Sequence, residues 1–550
     1  MGARSDDLVP AGTPDTVRAR AAEPGRVPVT DPTLGIDVDV DRRGRPRHRL
    51  VTIGDSLTQG FQSGAIRATD LSSGAIVAHE LGSLRRFRRP PYPGPGHSVP
   101  FDLEVLARDL ERRYGSRLSA LEVPRALLRA RELMDQVEDY WERGPGRVPP
   151  DQRAYNHALA MYSWDLRDAL SRTAANCQAE IEEPRDNLVR QLVSNHAERA
   201  ALRVYPHWSA ETRRMSLFDV ARALGADGGE VDGEDGEDGD VGGSVPGIEA
   251  MVVALGANNA LKSVTLLDVV WSGDGFRDLR RKHDYTVWRP EHFAAELAEV
   301  EAAVRRVNAR HVVWCTVPHL TIAPLARGVG TKIRRGSRYF PYYTRPWISD
   351  DRFEPDRDPH LTAAQARAVD AAIDLYNDAI QRVVERARRG VDGLPRDWYL
   401  LDLAGVLDRL ASRRYLEDPD ARPDWWTPYQ LPPELQALTP PPNSHFLTGD
   451  GRGGRATGGL FSLDGVHPTT VGYGLLAQEL VDVLRRAGVE FRRADGTPRP
   501  SPVRVDFDRL LERDELTCRP PQNITSSLDL LGWADQALDV VTGPFRHETG

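Results

Sequence analysis

The sequence predicts an α/β fold, in which helices cover both faces of a mainly parallel, doubly wound sheet to give three α/β/α layers. Four short apolar runs, rich in β-branched residues, are typical of buried strands: 49–54, 248–255, 311–317 and 398–403. Long segments with helical periodicity lie between or after them, at 290–308, 361–388 and 470–487. Strands that alternate with helices of this length indicate βαβ units and therefore a parallel sheet.

The elements between the first two strands are predicted to be helical insertions. The first strand, RLVTIG, ends at Gly54, where the chain is expected to enter a loop. The proline-rich segment 90–100 interrupts regular structure, and a 3.6-residue apolar period then begins at Leu103. Further helices are expected at 124–143 and 157–172.

The charge of the chain is concentrated in one segment. The formal net charge is -9, and eight acidic residues lie between Asp227 and Asp240 with no lysine or arginine among them. The segment 226–247 alternates glycine with acid, which predicts a solvated, mobile loop. The rest of the chain is close to neutral, so its charge gives no support for nucleic-acid binding.

Cysteine content and hydropathy exclude several other classes. The 550 residues include three cysteines, with no CxxC motif, so neither a disulfide framework nor a zinc site is expected. No apolar signal segment is visible near the start, and no apolar run reaches the ~18 residues of a membrane span. We therefore expect a cytoplasmic protein without an integral membrane segment.

The motif that points to chemistry directly follows the first strand. Residues 54–60 read GDSLTQG, which places Ser56 at the carboxyl end of a buried parallel strand, where open α/β sheets bind ligands. It is not the G-x-S-x-G nucleophile elbow, because position 58 is Thr58. The motif resembles the first block of the SGNH hydrolases, also called the GDSL esterase/lipase family.

Two later motifs continue this resemblance in the family's order. Gly256 and Asn258 follow a predicted strand as in the family's Gly-x-Asn block, although Asn259 stands where the family usually has aspartate. Asp464 and His467 match its Asp-x-x-His block before the last helix. Three motifs in order are a much more specific signal than one.

The family's second block, which supplies a glycine whose backbone N–H faces the oxyanion, has no clear counterpart. The best match is the segment 156–166, which puts Ser163 at the glycine position. Gly74 is the alternative.

The resemblance implies ester hydrolysis through a covalent acyl-enzyme. Ser56 would be the nucleophile, His467 its general base and Asp464 the residue that orients the imidazole. The oxyanion would be met by the N–H groups of Ser56 and Ser163 and by the side chain of Asn258. No metal or other cofactor is required. The expected partner is a small-molecule ester or acyl substrate.

Two further residues are candidates for the substrate pocket: His319, which follows a predicted strand, and Asp55, which precedes Ser56. Two aromatic-rich loops, around 339–347 and 425–429, are expected either to wall the pocket or to pack on the core.

The predicted domain organisation is one SGNH-like catalytic domain with insertions over 47–490. An irregular extension, 1–46, precedes it, and a C-terminal extension of unknown role, 491–550, follows it. Three alternatives stay open: a thioesterase, a carbohydrate deacetylase on the same scaffold, and a binding or scaffold protein that keeps the fold without turnover. The sequence predicts neither the acyl chain length, nor the alcohol moiety, nor the oligomeric state.

Overall fold

Five parallel strands form the central sheet of the computed structural model, which describes residues 9–40, 43–119, 121–184, 192–226 and 244–526. The strands are β1 (Arg45–Gly54), β2 (Ala158–Ala160), β3 (Ser244–Ala254), β4 (Ala309–Cys315) and β5 (Trp398–Leu401). All four pairings between them are parallel. The predicted α/β class with a parallel sheet is therefore confirmed. Most of the acidic segment, 227–243, lies outside the described residues.

The strand order across the sheet is β2-β1-β3-β4-β5. The chain reverses direction across the sheet between β1 and β3, as in one of the common orders of doubly wound sheets. In such sheets the crevice outside the carboxyl ends of the strands, at this reversal, is where ligands bind. Ser56 follows β1 and Asn258 follows β3, so the topology brings both to this crevice.

Alternate residues of the strands enter two separate hydrophobic cores, one on each face of the sheet. Ile53 belongs to the first core and Val252 to the second. The first core includes residues of the helices Leu217–Gly225, Pro290–Arg305 and Ala363–Arg389. The second includes residues of the helices Ser73–Glu80 and Thr470–Arg486. The sheet is thus covered by helices on both faces, and the long helices agree with the predicted ones to within a few residues.

The remaining elements are insertions and extensions around this core. The other α-helices are Asp15–Ala22, Ser56–Gln59, Leu103–Tyr114, Val123–Glu142, Leu166–Ser171, Ala174–Glu180, His196–Ala201, Lys262–Leu266, Leu403–Leu410, Pro433–Gln436, Phe507–Arg513, Glu515–Cys518 and Asn523–Ser526. The small strands form antiparallel pairings outside the central sheet: Phe61–Gln62 with Ala65–Ile66, Arg327–Gly328 with Tyr342–Thr344 and Leu361–Thr362, and Thr448–Gly449 with Arg455–Thr457.

The predicted helix at 157–172 is wrong in its first half. Ala158–Ala160 forms the edge strand β2, and the helix begins only at Leu166. Three apolar residues carry no usable periodicity, so this strand is not distinguishable from the start of a helix in the sequence. Its partner β1 decides the outcome, because Thr52 pairs with Ala158 and Gly54 with Ala160.

The N-terminal extension contains one helix that was not predicted, Asp15–Ala22. Its stability comes from tertiary contacts that local sequence does not reveal: Val17 is buried, and Arg20 forms an ion pair with Asp374 at 3.1 Å. The described part of the C-terminal extension also packs on the core, where Phe507 and Leu510 are buried in the second core.

Candidate active site

Ser56 is the first residue of a short helix, Ser56–Gln59, that begins at the carboxyl end of β1. Asp55 is its N-cap and accepts a hydrogen bond from the N–H of Leu57 at 3.0 Å. Serine at such a turn often caps the helix, but here Asp55 is the cap. The Ser56 hydroxyl is therefore not used for capping. The Tyr473 hydroxyl donates to the carbonyl of Phe61 at 2.7 Å and lies 3.4 Å from the carbonyl oxygen of Ser56. These contacts tie the turn at Ser56 to the helix Thr470–Arg486.

Asp464 and His467 form a hydrogen-bonded pair on one turn before the helix Thr470–Arg486. His467 Nδ1 lies 3.0 Å from Asp464 Oδ2. The other carboxylate oxygen, Oδ1, accepts the backbone N–H groups of Val466 and His467 at 2.9 and 2.8 Å, and Oδ2 also accepts the N–H of Gly64 at 2.9 Å. Because Nδ1 faces an acceptor-only carboxylate, the ring proton is assigned to Nδ1 and Nε2 is left as the basic nitrogen.

The surroundings keep the Asp464 carboxylate ionised although it is buried. Burial acts to raise the pKa of Asp464, but the charge and side-chain hydrogen bond of His467 and the backbone N–H groups of His467 and Val466 outweigh it, so this pKa lies below its usual value. The His467 ring also packs on Phe61, with ring centroids 4.5 Å apart. The imidazole is therefore held on one side by a carboxylate and on its face by an aromatic ring.

Ser56 and His467 lie in the wall of the same cavity, which has a volume of about 100 Å³. The rest of the wall is almost entirely apolar and is built from four regions: Ala257 and Leu261, the segment 318–323, the helix Leu403–Leu410, and the segment 460–476. Leu261, Val406, Leu407 and Leu475 are among its side chains. The two polar candidates thus face a pocket that suits a hydrocarbon group.

Ser163 lies in a loop directly after β2, and its backbone has a left-handed conformation with φ of 65°. This conformation favours glycine, which is the residue that the resemblance leads us to expect at this position. Gly74, the alternative, lies in the helix Ser73–Glu80, where a Cβ atom would come 2.8 Å from the Thr52 side chain. Close packing therefore accounts for Gly74.

Asn258 joins the two loops of the predicted oxyanion site. Its Nδ2 donates to the carbonyl of Trp164 at 2.9 Å, next to Ser163, which uses one of the two N–H groups of the amide. Asn259 is buried and accepts the N–H of Leu166 at 3.4 Å, while its Nδ2 has no hydrogen-bond partner among the described residues. The aspartate that the resemblance leads us to expect at position 259 has no N–H donor, so it would leave none unpaired.

Two polar groups that the sequence did not single out position the Ser163 loop. Gln59 accepts the N–H of Tyr162 at 2.8 Å and ties this loop to the helix that begins at Ser56. Lys282 is buried and lies 2.6 Å from both Asp165 and Asp168, just after the loop. The Asp-x-x-Asp spacing is visible as a capping box, but nothing in the sequence indicates that Lys282 reaches it.

The two other predicted pocket residues have different surroundings. His319 lines the cavity, but its ring lies between carboxylates, with Nε2 3.1 Å from Asp374 and Nδ1 3.1 Å from Asp408. Burial opposes protonation, yet these carboxylates raise its pKa to about 10. Asp55 borders a smaller cavity of about 30 Å³, and burial raises its pKa to about 6.

The described part of the chain contains no group of three His, Cys, Asp or Glu side chains arranged to hold a metal ion. Within the same residues, no helix is both long and apolar enough to cross a membrane. No protein-family model, curated protein or solved structure matches the chain, so its function has to be argued from the site itself.

Proposed function

We propose that the chain is a serine hydrolase that cleaves carboxylic esters through Ser56, His467 and Asp464. The observation that carries the proposal is that a histidine, hydrogen-bonded through Nδ1 to a buried carboxylate, shares one apolar cavity with a serine at a strand end. The order of the motifs and the strand order of the sheet support an SGNH-type scaffold.

In the proposed reaction, Ser56 Oγ attacks the ester carbonyl while His467 Nε2 accepts the hydroxyl proton. Asp464 holds the imidazole in the required tautomer and stabilises the imidazolium. The negative charge that develops on the carbonyl oxygen is met by the Ser56 and Ser163 N–H groups and the Asn258 amide. The imidazolium then protonates the leaving alcohol, and a water molecule activated by His467 hydrolyses the acyl-enzyme.

The cavity favours an apolar acyl group over a sugar. Apart from Ser56 and the histidines, its wall consists of aliphatic and aromatic side chains, glycine, alanine and proline, which offer no hydrogen bonds to hydroxyl groups. A carbohydrate deacetylase is therefore the less favoured alternative. An acyl thioester presents the same carbonyl and acyl chain, so thioester hydrolysis remains the second candidate reaction.

The proposal predicts that Ser56→Ala lowers kcat for p-nitrophenyl esters by about 10⁴-fold or more, because the nucleophile is lost while the cavity is kept. The wild-type chain should form a covalent adduct with a fluorophosphonate, located at Ser56 by peptide mass spectrometry. Ser119→Ala, a change at an exposed serine, is the matched control and should react like the wild type. A folded wild-type chain that neither hydrolyses esters nor takes the label would support a binding protein instead.

A further inference from the structure

A second cavity, of about 200 Å³, lies beside the candidate active site and has the opposite character. Arg327, Arg338, Arg413 and Arg414 line it, and among the described residues no aspartate or glutamate does. Its volume is well above the roughly 10–15 Å³ that one water molecule requires. Because the charged side chains in this wall are cations, they make the electrostatic potential inside the cavity more positive, and this favours an anionic occupant.

An unusual turn of the backbone places two of these cations. The helix Leu403–Leu410, whose leucines line the apolar cavity, is followed by a π-helical turn, Ser412–Leu416, that carries Arg413 and Arg414. The π-helix is rare and occurs frequently at functional sites. One continuous segment therefore supplies the wall of both cavities, first with apolar side chains and then with charged ones.

The arginines around the second cavity differ in how they are paired. Arg327 forms an ion pair with Asp350, and Arg414 one with Asp370 at 2.8 Å. Arg413 forms no salt bridge with any described residue, and its guanidinium lies over the Phe340 ring at 4.8 Å. Burial and then repulsion from Arg327 lower its pKa, although Asp350 and Glu417 act in the opposite direction. A bound anion would offset this repulsion.

Unused and uncharged donors complete the site. Arg414 Nη1 is buried without a hydrogen-bond partner among the described residues and lies 3.8 Å from Asp408. Ser412 and Ser444 also line the cavity, and the Ser444 hydroxyl donates to Ser412 Oγ at 3.1 Å, so the Ser412 hydroxyl is the one left to donate to a ligand. Guanidinium forks together with hydroxyl donors are the groups with which proteins recognise phosphate.

We propose that this cavity is a binding site for a phosphate group, carried either by inorganic phosphate or by a small phosphate monoester. The proposal does not rest on ester hydrolysis, because none of the residues that carry it belongs to the candidate triad. The site is nevertheless adjacent to that triad, since the Phe446 ring in its wall lies 3.1 Å from the position that a Cβ atom on Gly465 would take. Gly465 is part of the turn between Asp464 and His467.

The test is isothermal titration of the full chain in low-salt buffer with inorganic phosphate, with glycerol 3-phosphate, and with glycerol as the neutral control. We expect saturable binding at one site for at least one phosphate compound and none for glycerol. Tighter binding of glycerol 3-phosphate than of phosphate would identify an ester as the ligand, and the reverse order would identify the free ion.

Arg413→Gln should weaken binding at least about tenfold, because it removes a lining cation that has no salt bridge to a described carboxylate. Arg335→Gln, the matched control, changes an exposed arginine that pairs with Asp420 and should bind like the wild type. Circular dichroism checks that each variant is folded, and Arg413→Lys, which keeps the charge without the fork, should bind with intermediate affinity. The proposal is overturned if wild-type protein binds neither phosphate compound, or if Arg413→Gln and Arg335→Gln bind equally.

Discussion

Ser163 is the residue at which sequence and structure inform each other most directly. The motif comparison places a serine where glycine is expected, and the structure gives that serine a φ of 65°. A side chain in this left-handed region costs roughly 1–2 kcal/mol, which glycine avoids. A loop that keeps such a conformation without glycine is held by its neighbours, and Gln59 and Asn258 supply the hydrogen bonds that hold it.

We predict that Ser163→Gly keeps kcat within a few-fold of the wild type, because only the backbone N–H of this residue is used in the proposed reaction. Ser163→Val should lower kcat by a hundredfold or more, since a β-branched residue resists positive φ and the loss of one oxyanion donor costs about 3–4 kcal/mol. Steady-state kinetics with an activated ester measures both. Equal activity of the valine variant would remove Ser163 from the oxyanion site.

At the scale of elements, the sequence predicts what is long or periodic and misses what is short. The strands β1, β3, β4 and β5 and the long helices are visible because β-branched runs and 3.6-residue periods extend over several residues. The strand β2 is not visible, since pairing with β1 decides its three residues. The three triad candidates can also be predicted from the sequence, because each lies in a motif. The position of Lys282 and the two cavities cannot, because contacts between segments far apart in the sequence form them.

The helix Leu403–Leu410 forms part of the wall of the apolar cavity, and this leads to a prediction on substrate length. Leu407→Phe adds volume to the cavity wall and should lower kcat/KM for p-nitrophenyl octanoate relative to p-nitrophenyl acetate, compared with the same ratio in the wild type. We expect the ratio of the two kcat/KM values to fall by a factor of about 10 or more, because several methylenes of the octanoyl chain would lose their place in the cavity.

The matched control for this change is Leu394→Phe, because Leu394 is exposed and lies outside the cavity wall. It should leave the ratio of the two kcat/KM values as in the wild type. An unchanged ratio in Leu407→Phe would mean that the acyl chain binds elsewhere.

At the scale of the whole molecule, buried ionisable groups connect the extensions and insertions to the sheet. Arg26 of the N-terminal extension pairs with Asp402 at the end of β5, and Asp514 of the C-terminal extension accepts the N–H of Val471 at 2.8 Å. His319, Asp374 and Asp408 join three further segments. Depending on whether burial and neighbours raise or lower the pKa of such a group, the free energy of unfolding rises or falls as the pH is lowered. Each group therefore has to be tested by its own variant.

The buried pair of His48 and His157 is expected to make the stability of the fold depend on pH. His48 Nδ1 lies 2.9 Å from His157 Nε2, and His157 Nδ1 accepts the N–H of Arg88 at 3.0 Å, so both buried rings are neutral. Burial, followed by repulsion from Arg88 and Arg47, lowers the pKa of His48 to about 4. Between pH ~6.5, the pKa of an unfolded histidine, and the folded pKa of about 4, the unfolded chain binds a proton at His48 and the folded chain does not. The free energy of unfolding therefore falls as the pH is lowered through this window.

We predict that the free energy of unfolding of the wild type falls by about 2 kcal/mol more than that of His48→Gln when the pH is lowered from 7.5 to 5. His319, whose pKa is raised to about 10, is present in both chains, so its contribution changes equally in both and does not alter this difference. Urea unfolding at the two pH values measures the change, and His207→Gln, at a histidine outside the pair, is the control. Parallel losses in the wild type and His48→Gln would mean that the folded protein protonates this ring as readily as the unfolded chain does, so that burial does not lower its pKa.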